Sequence, residues 1–165
     1  TIAAERIGNE ELTEDTINDL NYKRNDVASA GITGVMGMGN IPIYNQMFLE
    51  QAKIIRKLAN YGSAVFLGRC ADYILKDIKN CTSVYLYADR EFRKNRVKEI
   101  YGSNAEIMDK EEKNRADYYN YYTGNRWGDI NNYDFAINTS KVSFEEAADL
   151  IYRFAKDKQK NLKDR

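Results

Sequence analysis

The chain has 165 residues, with 43% hydrophobic and 30% charged side chains, the balance of a folded globular domain. Twenty-five Lys and Arg offset 25 Asp and Glu, so the net charge is zero, which argues against a general nucleic-acid binder while leaving room for a local cationic pocket. There is no histidine, which excludes Ser-His-Asp and Cys-His catalysis and every histidine metal site.

Cys70 and Cys81 are too few for a disulfide framework and read as buried thiols in a reducing compartment. No apolar run of about 18 residues is present, and the charged TIAAERIGNEELTED start lacks the apolar core of a signal peptide. The expected setting is cytoplasmic, with no membrane partner.

Taken in chain order, Ala3, Ala4 and Ile7 have helical spacing, and Thr13 is placed to cap a second short helix at DTINDL. Residues 29–45 hold Gly31, Gly34, Gly37, Gly39 and the only proline, Pro42, and read as loop. Helix resumes at Asn45, where Met47, Phe48, Gln51, Ile54, Ile55 and Leu58 line one face. Asn60-Tyr61-Gly62-Ser63 ends it. Ala64–Gly68, AVFLG, has the composition of a strand buried on both faces.

A helical turn begins at Ala71, and residues 82–88, TSVYLYA, read as a second strand. The segment EFRKNRVKEIYG is a helix ending at Gly102, and residues 106–122 form a charged, tyrosine-rich helix. Residues 133–140, YDFAINTS, are the third strand. The last helix is SFEEAADLIYRFAK, with Ser143 as N-cap and Glu145 and Glu146 in its first turn, followed by a solvated tail. Strand followed by helix, three times over, predicts an α/β fold with three layers (αβα) and a parallel sheet.

In such sheets ligands bind beyond the carboxyl ends of the strands. Those positions hold Gly68, Arg69, Cys70 and Asp72 after the first strand, and Asp89, Arg90, Glu91, Arg93 and Arg96 after the second. Asn138, Thr139 and Ser140 follow the third. Arginines suit phosphate because a planar guanidinium donates two hydrogen bonds to two oxygens. Arg69 is read as a ligand residue, against a structural pairing with Asp72. Arg93 and Arg96, three apart, share a helix face that is read first as solvated. Met108, Glu112, Arg115, Tyr119 and Tyr122 form a helical stripe, either a solvated face or a lid over polyphosphate. Tyr118, Tyr119, Tyr121 and Tyr122 cannot all face one pocket, so most are assigned to packing or an interface, which leaves a homodimer open.

The segments FLGRCADYIL, VYLYADREFRKNRV, NRADYYNYYTGNRWGDINNYDFAINTS and the closing helix resemble the cytidylate kinase-like family, P-loop proteins related to nucleoside monophosphate kinases. The resemblance runs from about Phe48 to Phe154. It implies a single P-loop NTPase-like domain over residues 1–165, with an acceptor-side helical region at about 1–47 and a helical lid at about 103–128. It also implies nucleotide ligands, with ATP and Mg2+ as cofactors. Gly68 and Arg69 look like the Gly-Arg pair that contacts the acceptor nucleotide, with Asp72 the nearest carboxylate. In the family an Asp directly follows that Arg, whereas Cys70 stands here.

Arg93 and Arg96 look like the arginines near the lid hinge. Glu112-Lys113-Asn114-Arg115 resembles the lid's Asp-x-x-Arg, in which the Arg clamps the transferred phosphate and the carboxylate faces the cofactor. Met108 occupies the position of the lid's earlier arginine, so that cation is either missing or supplied by Lys110 or Lys113. Trp127, Gly128 and Asp129 belong to the family pattern without an assigned role. A Gly-rich loop ending in Gly-Lys-Ser/Thr does not occur among the 165 residues. The expectation is that this loop lies upstream of Thr1 or is missing. The implied reaction is ATP-dependent phosphorylation of a nucleoside monophosphate such as CMP or dCMP. The alternatives are a catalytically idle nucleotide-binding module and a kinase of another small acceptor.

Overall fold

The computed structural model describes residues 43–102 and 105–164. The helices expected near Ala3 and Thr13, and the glycine-rich stretch up to Pro42, lie outside the described residues. The chain divides into two compact units, the first ending at Ile74 and the second running from Leu75 to Arg165.

In the first unit, helix α1 spans Ile43–Tyr61 and helix α2 spans Ala71–Ile74. The 3.6-residue period holds for α1: Met47, Ala52 and Ile55 are buried, whereas Leu58, expected on the same face, is 49% exposed. Cys70, Ala71 and Ile74 are buried at the other end of the unit.

The residues expected to form the first strand do not. Residues 63–67 belong to no helix or strand, and Val65 and Leu67 are 90% and 88% exposed. An apolar run becomes a strand only where another strand accepts and donates its ladder of hydrogen bonds. No described residue does so here. The expected strand buried on both faces is thus neither paired nor buried among the described residues.

The second unit contains strand β1 (Val84–Tyr87), helix α3 (Arg90–Tyr101), helix α4 (Ala105–Thr123), a 3-10 turn (Ile130–Asn132), strand β2 (Phe135–Asn138) and helix α5 (Phe144–Lys163). It is thus a mixed helix–strand unit around a small parallel sheet. β1 and β2 pair in register, Val84 with Phe135 through Tyr87 with Asn138. Tyr85 and Tyr87 therefore stand on one face of the sheet, and Val84 and Leu86 on the other. Ile137 is buried, and Phe135 stacks on Phe154 of α5 with ring centres 4.9 Å apart.

Local sequence explains where the helices begin and end. Ser143 caps α5 with a reciprocal capping box: its hydroxyl accepts from the Glu146 N–H, and the Glu146 carboxylate accepts from the Ser143 N–H. Gly102 closes α3 at φ 60°, the left-handed geometry that glycine adopts without a Cβ clash.

At the amino ends of the strands, Asp134 accepts from the N–H and hydroxyl of Ser83 and from Lys158, the last at 2.7 Å. Partial burial pushes the Asp134 carboxyl upward, but Lys158 and the two Ser83 donors outweigh it and hold it below its ordinary value. A depressed carboxyl stabilises the fold above its unfolded pKa, near about 4, and that stability is lost as pH falls through the folded value. We expect Asp134→Asn to lower stability by about 1 kcal/mol at pH 7. The gap to wild type should shrink below about pH 4 in urea unfolding. An equal gap at pH 7 and pH 3 contradicts this role.

Candidate functional site

The carboxyl ends of β1 and β2 are tied together by side chains. The Thr139 N–H and hydroxyl donate to the Tyr87 carbonyl at 2.8 and 3.1 Å, and the Asp89 N–H donates to the Ser140 hydroxyl at 2.6 Å. Asp89 in turn accepts from Lys141 and Asn138, which together hold its carboxyl below the usual range. Asn138, Thr139, Ser140 and Asp89, all candidates by position, thus fasten the strand ends.

Beside this clasp lies a cavity of about 560 Å3, within the range of about 300–1,000 Å3 typical of small-molecule sites. Its charged lining consists of Arg93 from α3 and Glu112 and Arg115 from α4. Its aromatic lining is Tyr85 and Tyr87 from β1 and Trp127 from the loop after α4. Arg93 pairs with Glu112, and Arg90 pairs with Asp109 one helical turn earlier, so two ion pairs join α3 to α4. The Arg93 Nε is buried and has no hydrogen-bond partner, so the pair leaves part of the guanidinium unsatisfied. Arg115 is exposed at the lip.

The helical stripe has one end in the core and its middle in the cavity. Met108 and Tyr119 are buried, while Glu112 and Arg115 between them line the opening. The tyrosine cluster divides as expected: Tyr118 and Tyr119 are buried, Tyr121 is exposed, and none of the four lines the cavity. Tyr118 and Tyr121 both meet Tyr122 edge-on.

Trp127, Gly128 and Asp129, which had no role in the sequence reading, form the turn that presents the indole. Gly124 adopts φ 70°, and its N–H donates to the Asn120 carbonyl. Thr123 donates its hydroxyl to the Tyr119 carbonyl and accepts from the Asn125 N–H. The Asn120 side chain then accepts from the Trp127 N–H at 2.6 Å. Gly128 adopts φ 79°, the left-handed geometry that glycine takes without strain, beside the Tyr85 hydroxyl. Asp129 caps the 3-10 turn by accepting from the Asn131 N–H.

Tyr85 is the hub of the aromatic wall, stacked on Tyr87 and Tyr133 and edge-on to Trp127. Burial first and Glu112 second raise its phenol above the ordinary value, against the opposing pull of Arg93. Tyr85 therefore stays protonated and forms part of the wall.

Of the other sequence candidates, Arg96 lies over the Phe144 ring at 4.2 Å, and Lys113 pairs with Asp117 at 2.6 Å on the same helix. Gly68, Arg69 and Asp72 belong to the first unit. There Gly68, Arg69 and Cys70 have φ of 64°, 55° and 56°, a left-handed turn that is costly for the two residues carrying a Cβ. The Cys70 thiol is pushed up to about 12, mainly by burial, then by Asp72, with Arg69 opposing, so it is an inert thiol. Cys81, expected to be buried as well, is only partly so.

Of the sequence candidates, Arg93, Glu112 and Arg115 line this cavity, beside Tyr85, Tyr87 and Trp127, which were assigned no role. The available signals were the period-2 tyrosines within VYLY and the WGD triplet. No group of three or more metal-binding side chains occurs among the described residues. A magnesium ion on a nucleotide needs only one or two carboxylates besides phosphate oxygens and water, and Glu112 is the carboxylate in the cavity lining. No helix among the described residues is long and apolar enough to cross a membrane.

The second unit thus gathers Arg93 and Arg115 beside the carboxyl end of a small parallel sheet. The sequence matches the cytidylate kinase-like family over residues 1–141, and the chain belongs to that family. No curated protein matches it. A crystal structure of an uncharacterized protein from Eubacterium ventriosum is similar at 25% identity, covering 94% of this chain and 89% of that one, with a TM-score of 0.64.

Proposed function

We propose that the protein is a nucleotide kinase that transfers phosphate from ATP to a nucleoside monophosphate, with CMP or dCMP the first acceptors to test. The reading is supported chiefly by the convergence of Arg93, Glu112 and Arg115 on one cavity in a chain of this family. In this reading the unit around β1 and β2 is part of a three-layer P-loop fold, and residues 103–128 act as its lid.

Phosphoryl transfer asks a protein mainly for positioning and charge neutralisation. Arg115 places its guanidinium on the moving phosphoryl group. Arg93 leaves Glu112 for phosphate oxygens, which also gives its unsatisfied Nε an acceptor. Movement of α4 toward the ligand excludes water and limits wasteful hydrolysis. Magnesium bound with ATP neutralises part of the polyphosphate charge. Arg69 and Asp72 are assigned to the acceptor on family resemblance. Arg96 and Lys113, assigned to charge neutralisation on family resemblance, would first have to leave the Phe144 ring and Asp117.

The test is ADP formation from Mg-ATP with CMP, dCMP, UMP, AMP and GMP in turn. ADP formed with a cytidine nucleotide above the no-acceptor rate is the expected result. Nucleotide binding without ADP from any acceptor would favour an idle binding module, a reading to which the buried Met108 at the lid's earlier cation position lends weight.

A further inference from the structure

The aromatic side of the cavity, Tyr85, Tyr87 and Trp127, carries no charge with which to neutralise phosphate. Trp127 lines the cavity and is half-buried. Its two aromatic neighbours meet it at steep angles, Tyr85 at 86° and Tyr119 at 63°. Tyr85, by contrast, is stacked on two sides, on Tyr87 at 16° and on Tyr133 at 29°. Among the described residues, no ring lies parallel to the Trp127 indole. The turn holds the indole by its backbone, through the Asn120 side chain and the left-handed Gly128, so the ring is positioned before any ligand arrives.

We infer that Trp127 is the stacking surface for the nucleobase of a nucleotide whose phosphates lie toward Arg93 and Arg115. This rests on the nucleotide reading above and adds a specificity-determining residue to it. A sugar phosphate or inorganic polyphosphate satisfies the arginines and leaves the indole untouched. A nucleotide uses both sides of the cavity, because every base offers a π-face. Base stacking on an aromatic side chain is worth enough that its loss weakens binding roughly 10- to 100-fold.

Trp127 is the chain's only tryptophan, so its fluorescence reports on this one position. The experiment titrates the protein with CMP and ATP, and with ribose 5-phosphate and tripolyphosphate as baseless counterparts, corrected for absorbance with free tryptophanamide. Saturable quenching by CMP or ATP and little change with either baseless ligand is expected, and whichever nucleotide quenches identifies whether acceptor or donor is stacked. Calorimetry of Trp127→Ala should then show weaker binding of that nucleotide with tripolyphosphate affinity retained, and Trp127→Phe should recover most of the loss. Equal responses to ribose 5-phosphate and CMP, and to tripolyphosphate and ATP, would overturn the assignment, as would no response at all. The wild-type titration decides the matter even if the alanine variant fails to fold. ADP formation without any fluorescence response removes the stacking site and leaves the kinase reading. Quenching by nucleotides without ADP formation does the reverse.

Discussion

Replacing Arg115 with alanine is expected to lower kcat on the order of 1,000-fold while changing acceptor affinity only a few-fold. Arginines that meet a transferring phosphoryl group contribute about 10^3 to 10^5 in rate when supplied to the transition state. Arg115 lines the lip of the cavity and is exposed there, so its removal leaves no buried partner stranded and little stability is at stake. The effect should therefore fall on turnover. Steady-state kinetics with the acceptor varied measures the split. A loss of acceptor affinity with kcat unchanged would contradict the clamp, because it describes a residue that holds ground state and transition state alike.

Arg93→Ala should be nearly as damaging for a different reason. The Arg93–Glu112 pair is partly exposed, with side-chain exposures of 34% and 41%, so solvent screening limits its stabilising effect to about 1 kcal/mol at most. A purely structural Arg93 therefore predicts a melting temperature lower by about 2–4 °C and an enzyme that still works. An Arg93 that moves to phosphate predicts a loss in kcat/KM on the order of 100-fold on top of that small shift. Arg93→Lys separates the two further. It keeps the charge near Glu112, and most of the stability, but lacks the planar fork and should recover little of the rate. A full recovery of rate by lysine would show that a point charge suffices and that the bidentate geometry is not used.

Which parts of this site were legible in the sequence follows from how far each contact reaches along the chain. Helices α3, α4 and α5 rest on contacts three and four residues apart and on caps next to them, so Ser143, Gly102 and the Met108–Tyr119 stripe could be read directly. Strands β1 and β2 also lie within their expected ranges, since short apolar runs bounded by turn residues are local signals. The AVFLG run carried the same local signal and is not a strand, because pairing is decided by a partner elsewhere in the chain. Arg93 stood out by its place after a strand and Glu112 and Arg115 by their helical stripe, and the family resemblance gave them roles.

The aromatic wall was not legible. Tyr85 and Trp127 are 42 positions apart in number and meet only because β1 and the loop after α4 converge. The roles of Gly128 and Asp129 are local in sequence but depend on a left-handed φ and a cap on the following turn. Likewise the occupation of Arg96 by Phe144 joins α3 to α5, so spacing alone left it paired in expectation with Arg93.

The measurement that tests the central claim most directly is transfer of the terminal phosphoryl group itself. The protein would be incubated with magnesium and ATP labelled in the γ-phosphate, with CMP as acceptor, and the products separated by ion exchange. The account predicts label in the β-phosphate of CDP, formed in step with ADP and lost in the Arg115→Ala protein. Label released only as inorganic phosphate, at a rate CMP does not alter, would contradict it.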